Sequence, residues 1–411
     1  MWHRLKNIYH GLVALTAALY FRFPGNSLTV VGVTGTDGKT TTAHLIHHIL
    51  RTAGKKVSLV SSVYAEIAGE KHDTGFHVTT PDPWRLQKFL RQAVDHGDEL
   101  MVLEVTSHGL DQNRVLCIPF AAAVITNVTN EHLDYHKNYV NYLKTKEMLL
   151  RRAKVAVVNK DDESFAHFAA LIQRSAVTYG IKNQADITPR NFPFTTSLQG
   201  EYNRYNCLAA IAVTRELGIK NDSIKKALKT FSGVKGRFER VDTGRAFAVI
   251  IDFAHTPNAI ENVLQTLRPT VDGRLIHVFG SAGLRDHSKR LVMGQKSAKY
   301  ADLIVLTEED FRTEDVNEII AQIAAGCIKA GAQELTTDRY KRALTAKTAV
   351  FFRIPDRQTA INFAIQNLAQ PGDTLILTGK AHETSLCRGR REYPWSEHEA
   401  VAKALKGRKD R

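Results

Sequence analysis

The chain has 411 residues, 43% hydrophobic and 24% charged, an ordinary globular composition on a chain too long for one core, so two domains, or three small ones, are expected. A formal charge of +14 favours anionic partners (nucleotides, phosphorylated substrates, nucleic acid or an acidic membrane surface) without choosing among them. Four scattered cysteines, Cys117, Cys207, Cys327 and Cys387, argue against a disulfide framework or a cysteine-based zinc site and fit a reducing cytoplasm.

Residues 1–26 carry Arg4 and Lys6 ahead of an apolar run, Ile8 to Phe21. Arg22, Phe23 and Pro24 follow where a secretory cleavage site needs small residues. The run is also shorter than the roughly 20 residues that span a bilayer. An amphipathic helix packed on the body is expected here, with a membrane-surface helix as the alternative.

From Leu28 the pattern turns to strand, glycine-rich turn and helix, the helix covering Thr41 to Thr52. Further strand-like runs are Val57 to Val63, Leu100 to Val105, Ala121 to Thr126 and Lys154 to Asn159, with helical stretches at Pro83 to His96 and Tyr139 to Arg152. A second series of strands follows Gly233: Ala246 to Asp252, Leu275 to Phe279, Leu303 to Thr307 and Thr374 to Thr378. Such alternation predicts α/β architecture with mostly parallel sheets covered by helices. The segment Gly233-Val-Lys-Gly-Arg237, with its two glycines, marks a boundary between residues 27–234 and 235–411. The tail from Lys403 to Arg411 reads as a solvated basic end.

The strongest local signal is Thr34-Gly-Thr-Asp-Gly-Lys-Thr-Thr41, which follows a buried-type strand and opens a helix. Gly35 and Gly38 let backbone N–H groups turn toward phosphate oxygens, with Thr36 and Asp37 between them, and the helix N-terminus adds its dipole. Lys39 can reach the β- and γ-phosphates, Thr40 can ligate Mg²⁺ through its hydroxyl, and Thr41 continues the loop into the helix. Val33 stands where the commoner form of this loop has its first glycine. The context predicts a nucleotide-binding domain.

The loop's Gly-Thr-x-Gly-Lys-Thr form resembles that of the Mur ligases and their folylpolyglutamate synthetase relatives. Further segments match the branch that adds the third residue of the peptidoglycan stem, the MurE branch: Thr79-Thr-Pro81, Leu103-Glu-Val-Thr-Ser-His-Gly-Leu-Asp-Gln-Asn-Arg114 and Thr126-Asn-Val-Thr-Asn-Glu-His-Leu-Asp-Tyr-His136. Gly200-Glu-Tyr-Asn-Arg-Tyr-Asn206, Asp252-Phe-Ala-His-Thr-Pro257, Arg285-Asp-His-Ser-Lys-Arg290 and Gly379-Lys-Ala-His-Glu383 continue the match in order. The resemblance implies a central P-loop ATPase-type domain and a Rossmann-like C-terminal domain that takes the incoming amino acid.

It also implies site residues. Glu104, ending an apolar strand, would hold one Mg²⁺ with Thr40. His132 would hold a second together with Lys146, carbamylated by CO₂, while His136 would be structural. Lys144 is the alternative to Lys146 by register. Thr79, Thr80, Thr106, Gln112 and Arg114 would contact the muramyl dipeptide. Asn203, Asn206, His255, Asn258, Arg285 and Asp286 would line the ATP pocket, Asn203 and Asn206 having a helix-start role as their alternative. Arg290, Glu309, Asp310, Arg312, Gly379 and Glu383 would meet substrate. A zinc reading of His132 and His136 lacks a suitably spaced third ligand, and Thr106-Ser-His-Gly lacks a nucleophile elbow.

Two departures stand out. Members of the MurE branch carry an N-terminal uridine-binding domain, which is not expected here. The usual Asp-Asn-Pro-Arg motif of diaminopimelate-adding members is Glu309-Asp-Phe-Arg312. Arg312 can still pair with a second carboxylate, which favours diaminopimelate over lysine, and Glu383 could hold the distal ammonium.

The implied activity is a monomeric, cytoplasmic ATP-dependent ligase. It would join a diamino acid to UDP-muramyl-Ala-Glu through an acyl phosphate, with two Mg²⁺, working at the inner membrane face if residues 1–26 reach lipid. Domain closure hinged near Gly233 to Gly236 would exclude water. The alternatives are a Mur-like ligase on a lipid-linked, folylpolyglutamate- or cyanophycin-type acceptor, and a Mur-like amidating subunit. A non-enzymatic nucleotide- or nucleic-acid-binding protein is the reading from another class. No nucleic-acid module is legible in the sequence.

Overall fold

The computed structural model describes residues 2–74, 79–129, 131–169 and 176–408. The chain divides into two compact units, Met1–Ser232 and Gly233–Arg411.

The first unit begins with α1 (Trp2–Tyr20), and β1 (Thr29–Thr34) then runs into the phosphate loop and α2 (Lys39–Thr52). Next come β2 (Val57–Val60), the short strands β3 (Ala65–Ile67) and β4 (Glu70–His72), and α3 (Pro83–His96). Asp82 caps α3 by accepting from the Trp84 and Arg85 N–H groups, and Pro83 occupies its first turn. There follow β5 (Leu100–Glu104), α4 (Ser107–Asp111), β6 (Phe120–Ile125), α5 (Leu133–His136), α6 (Tyr139–Arg152) and β7 (Ala153–Asn159). The unit closes with α7 (Phe165–Ala169), β8 (Ala176–Tyr179), α8 (Glu201–Glu216) and α9 (Asn221–Thr230).

Its eight strands lie in the order β4-β3-β2-β5-β1-β6-β7-β8, parallel except for β3 and β4. The central strand β1 is flanked by β5 and β6, so Val33 stands beside Glu104 and Val124. Strands buried on both faces need continuous apolar runs. Val30, Val31, Val33, Met101, Val102 and Leu103 supply them. The carboxyl ends of β1, β5 and β6 therefore open side by side on the phosphate loop, Glu104 and Thr126, which is where a parallel sheet holds its ligands.

The second unit opens with β9 (Glu239–Val241), β10 (Ala248–Asp252) and α10 (Pro257–Leu267), followed by β11 (Leu275–Phe279), α11 (Ser288–Tyr300), β12 (Leu303–Leu306) and α12 (Val316–Lys329). After β13 (Gln333–Glu334) and α13 (Tyr340–Ala343) come β14 (Val350–Arg353), α14 (Arg357–Phe363), β15 (Thr374–Thr378), the hairpin β16 (Ser385–Arg388) and β17 (Arg391–Pro394), and α15 (Glu397–Lys406). Seven strands form a second sheet, β13-β14-β12-β11-β15-β10-β9, with only β9 antiparallel to its neighbour. Its core joins Val249, Ile251, Ile276, Val278, Val305, Phe352 and Leu377. The two-sheet α/β architecture expected from the alternating pattern is the one observed.

The N-terminal helix packs on the body as expected, through its small residues and not its large apolar ones. Its small residues Ala14, Ala17 and Ala18 are buried, while Ile8, Leu12, Leu15 and Leu19 are exposed.

Candidate active site

In the first unit the site is built around the turn from β1 to α2. Gly38 sits at φ +81°, and a Cβ there would stand 2.3 Å from Asn206 Oδ1. Glycine is therefore required both by conformation and by the close approach of α8. At Gly35 a Cβ would stand 1.8 Å from Thr126 Oγ1. The loop is braced by the β6 edge: the Asp37 N–H donates to Asn127 Oδ1 (2.9 Å), the Thr126 hydroxyl donates to the Asp37 carbonyl (2.6 Å), and the Thr36 N–H donates to the Asn127 carbonyl (2.9 Å). Thr42 Oγ1 donates to Asn206 Oδ1 (3.3 Å), and Asn206 Nδ2 to Asn203 Oδ1 (3.0 Å). The two asparagines on the first turns of α8 are thus brought against the loop. Lys39 Nζ donates to the Thr36 carbonyl at 2.7 Å, and Thr41 is buried in the first turn of α2.

Glu104, at the end of β5, is 2% exposed. Its carboxylate accepts from Thr40 Oγ1 (3.0 Å) and from the Ser62 N–H (2.9 Å), and the Ser62 hydroxyl lies 3.0 Å from Thr40 Oγ1. This is a cluster of hard oxygen donors, of the kind Mg²⁺ selects. Ser62 was not singled out from the sequence. Its place follows from β2 pairing with β5, a long-range relation that no local string announces.

Lys146 reaches inward from α6. Its side chain is fully buried, donates from Nζ to the Gly35 carbonyl, and lies over the Tyr142 ring at 4.4 Å. Burial pushes its ammonium well below the ordinary lysine value, and the neighbouring charge of Lys39 adds to this. His132 adopts the left-handed conformation, φ +56°, unusual for a non-glycine residue. Burial lowers its pKa to about 3, against the opposing pull of Glu131, so the imidazole is neutral and can offer a lone pair. Its ring centroid lies 5.0 Å from that of His108. His136 packs between Tyr135 and Tyr142. Among the described residues, no three of His, Cys, Asp and Glu converge as a metal-binding group.

The residues expected to take the muramyl dipeptide adjoin Glu104. Thr80 Oγ1 donates to the Glu104 carbonyl (3.2 Å) and lies 3.2 Å from Thr106 Oγ1, which caps α4 by accepting from the Gly109 N–H (3.0 Å). Arg114 donates from Nη1 to the Thr80 carbonyl (2.5 Å), and from Nε and Nη2 to Gln112 Oε1 (3.0 and 2.7 Å). Thr79 stands next to Thr80, half-buried. Tyr135, not foreseen, ties this group together by donating to Asp111 (2.7 Å), while its oxygen stands 3.5 Å from Gln112 Nε2.

In the second unit the candidates gather at the carboxyl ends of β10, β11, β12 and β15. Asp252 is buried and accepts from the Phe238 and Ala254 N–H groups (2.6 and 2.7 Å). Burial raises its pKa, against Arg237 and those two bonds. The Gly379 N–H donates to the Asp252 carbonyl (3.2 Å). His255 Nδ1 lies 2.9 Å from the Phe253 carbonyl, and Asn258 is in the first turn of α10. Arg285 is exposed, and Asp286 accepts from the Ser288 N–H (2.9 Å) and hydroxyl. Lys380 is fully buried and pairs with Asp310 (2.8 Å) and Glu383. Burial opposes its charge, but the two carboxylates outweigh burial and hold the ammonium above its ordinary value. Glu309 is buried with its Oε2 3.0 Å from where a Gly379 Cβ would stand.

Two of the expected substrate contacts are engaged inside this unit. Arg290 is fully buried, with its guanidinium bonded to Glu314, Gln322 and the Ala282 carbonyl. Here it organises the loop after β11 and presents no donor to solvent. Arg312, at φ +52°, donates from Nη1 to the Gly283 carbonyl (2.7 Å). Glu383 shares its carboxylate with Lys380, a partner no spacing rule had indicated.

Comparison with known proteins yields a consistent picture. Residues 33–214 match the Mur ligase middle domain, and residues 236–381 the Mur ligase glutamate ligase domain. The UDP-N-acetylmuramoyl-L-alanyl-D-glutamate–2,6-diaminopimelate ligase of Geobacillus thermodenitrificans is 36% identical over 424 residues, covering 97% of this chain and 83% of its own length. A solved structure with the same enzyme name superimposes with a TM-score of 0.59 at 27% identity, over 92% of this chain and 78% of that one. Mycobacterium tuberculosis folylpolyglutamate synthase, solved with ADP and AMPPCP, has a TM-score of 0.67 over 97% of this chain and 96% of its own; at 17% identity it shares the fold.

Proposed function

The chain belongs to the Mur ligase family of ATP-dependent amide-forming ligases, and from that premise we propose that it adds diaminopimelate, in preference to lysine, to UDP-N-acetylmuramoyl-L-alanyl-D-glutamate. The observation that carries this reading is the continuity of the two halves of the site. Thr80 bonds the backbone of Glu104, and Glu104 bonds Thr40 of the phosphate loop. An acceptor held by Thr79, Thr80, Thr106, Gln112 and Arg114 would then lie beside a γ-phosphate bound at the loop. The names of relatives such as the Geobacillus enzyme favour diaminopimelate.

In the proposed reaction an oxygen of the acceptor's terminal carboxylate attacks the γ-phosphorus of ATP and ADP leaves. The diamino acid's amine then attacks the acyl phosphate, losing a proton and releasing phosphate. Lys39 neutralises the charge that grows on the transferred phosphoryl group. The braced loop positions the phosphates, and Arg114 orients the acceptor.

Two Mg²⁺ fit the residues present. Thr40 and Glu104, with oxygens 3.0 Å apart, would hold one, and neutral His132 and Lys146 carrying a CO₂-derived carbamate would hold the other. The ions would screen phosphate charge. We read the enzyme as a cytoplasmic monomer that works at the inner face of the membrane if residues 1–26 reach lipid.

The test is ADP release by the purified chain with UDP-muramyl-Ala-Glu, supplied with diaminopimelate and lysine in turn, together with the product mass. Faster turnover with diaminopimelate supports the reading. Turnover with neither, alongside intact ATP binding, would assign a different acceptor, and faster turnover with lysine would overturn the choice of amino acid.

A further inference from the structure

Helix α1 has two apolar faces, and among the described residues the larger side chains are on the exposed one. Gly11, Ala14, Ala17 and Ala18 face the body. Ile8, Leu12, Leu15 and Leu19 are 61%, 57%, 39% and 57% exposed. At about 100° per residue these four fall within roughly 60° of one another, in a stripe about 17 Å long. Tyr9 and Tyr20 flank it, both exposed. Trp84, at the start of α3, extends it: its ring lies 5.4 Å from Tyr20 and 6.1 Å from Phe21, and it is 42% exposed. So continuous an apolar surface marks a contact with something else.

We infer that this stripe, with Trp84, docks the enzyme on an anionic lipid surface, with α1 lying in the plane of the headgroups. The inference rests on the membrane-facing placement proposed above and is independent of the acceptor's identity. Charge selects the occupant. Residues 1–28 contain no aspartate or glutamate, while Arg4, Lys6 and Arg22 are basic. Lys88, one turn beyond Trp84 on α3, is also exposed. Apolar side chains flanked by Tyr and Trp, on a segment whose only formal charges are basic, suit the headgroup–acyl boundary. No described helix is long and apolar enough to cross a membrane, so α1 would lie on the bilayer.

The contact would also place the active site. Asn7 Nδ2 reaches Asp111 Oδ1 (3.5 Å), and Asn113 Nδ2 donates to the Asn7 carbonyl (3.2 Å). Asp111 and Asn113 flank Gln112, and Trp84, in the first turn of α3, follows closely on Thr79 and Thr80 in the chain. The acceptor-binding residues are thus fixed to the same helix that meets the lipid.

The test is co-sedimentation of the full chain with vesicles of phosphatidylcholine alone and of phosphatidylcholine mixed with phosphatidylglycerol, at low and raised salt. The wild type should pellet with the anionic vesicles, less so in salt, and scarcely with the neutral ones. The double variant Leu12→Ser/Leu19→Ser, altered only at exposed positions, should lose roughly tenfold or more of that partition. Its ADP release with UDP-muramyl-Ala-Glu should match the wild type. Equal partition of variant and wild type would overturn the inference, as would equal binding to neutral vesicles or none to anionic ones. Lipid-free dimerisation abolished by the two serines would assign the stripe to a second copy instead. A wild type that binds vesicles but releases no ADP would strike at the acceptor and leave the membrane contact standing.

Discussion

Lys146 donates from Nζ to the carbonyl oxygen of Gly35 at 2.5 Å, so an amine buried on α6 is held against the backbone of the phosphate loop. A charged lysine buried in such a place costs stability, offset in part by the attraction of Glu131 and Asp37. A desolvated amine is a nucleophile for CO₂, and the resulting carbamate would return a negative charge beside Lys39. Lys146→Ala should lower kcat by about 10²- to 10³-fold, and added formate or acetate should restore part of the loss by supplying the missing carboxylate. ADP-release assays with and without the acids decide it. An alanine variant of near wild-type rate would remove Lys146 from the machinery.

Gly38 meets two constraints at once, its positive φ and the approach of Asn206 Oδ1. Gly38→Ala should incur about 1–2 kcal/mol of backbone strain and displace the Asn206 side chain from the loop. ADP affinity, measured by titration calorimetry, should fall tenfold or more. Adding Asn206→Ala removes the overlap but not the strain, so the double variant should recover only part. Full recovery would assign the whole effect to the asparagine.

Arg114 uses three nitrogens to hold Gln112 and Thr80. Lysine keeps the charge but cannot reproduce that fork. Arg114→Lys should therefore raise the KM for the muramyl dipeptide about tenfold while leaving ADP affinity unchanged. Steady-state kinetics with the acceptor varied will separate the two, and an unchanged KM would place the acceptor elsewhere.

The parts of this site that lie in one stretch of chain were legible in the sequence. Phosphate binding needs glycines, a lysine and a threonine in fixed order, and the strands feeding it are buried on both faces, so their apolar runs are unmistakable. Short, polar strands such as β4 and β17 carry no such signal. Relations set by sheet pairing were equally hidden. Ser62 reaches Glu104 only because β2 lies beside β5, and Arg290 is withdrawn from solvent by Glu314, 24 positions along the chain. In α1 the apolar run was evident, but close helix packing favours small side chains, and this put the alanines inward and the leucines outward.

His277 on β11 gives the second unit a sensitivity to acid. It is fully buried, its ring nitrogens 2.8 Å from Ser297 Oγ and 3.0 Å from Thr378 Oγ1. Burial, reinforced by the charge of Arg357, lowers its pKa to about 3. The folded value lies below the unfolded one of about 6.5, so between the two the unfolded chain binds the extra proton. The stability this imidazole contributes is whole above pH 6.5 and drains away as pH falls toward 3, at roughly 1.4 kcal/mol per pH unit. His277→Gln retains a donor and an acceptor but does not titrate. Its urea midpoint, followed through Trp395 fluorescence in a background lacking the other tryptophans, should fall less steeply between pH 6.5 and pH 5 than that of the parent. Parallel falls in the two proteins would mean that His277 already carries its proton in the folded state.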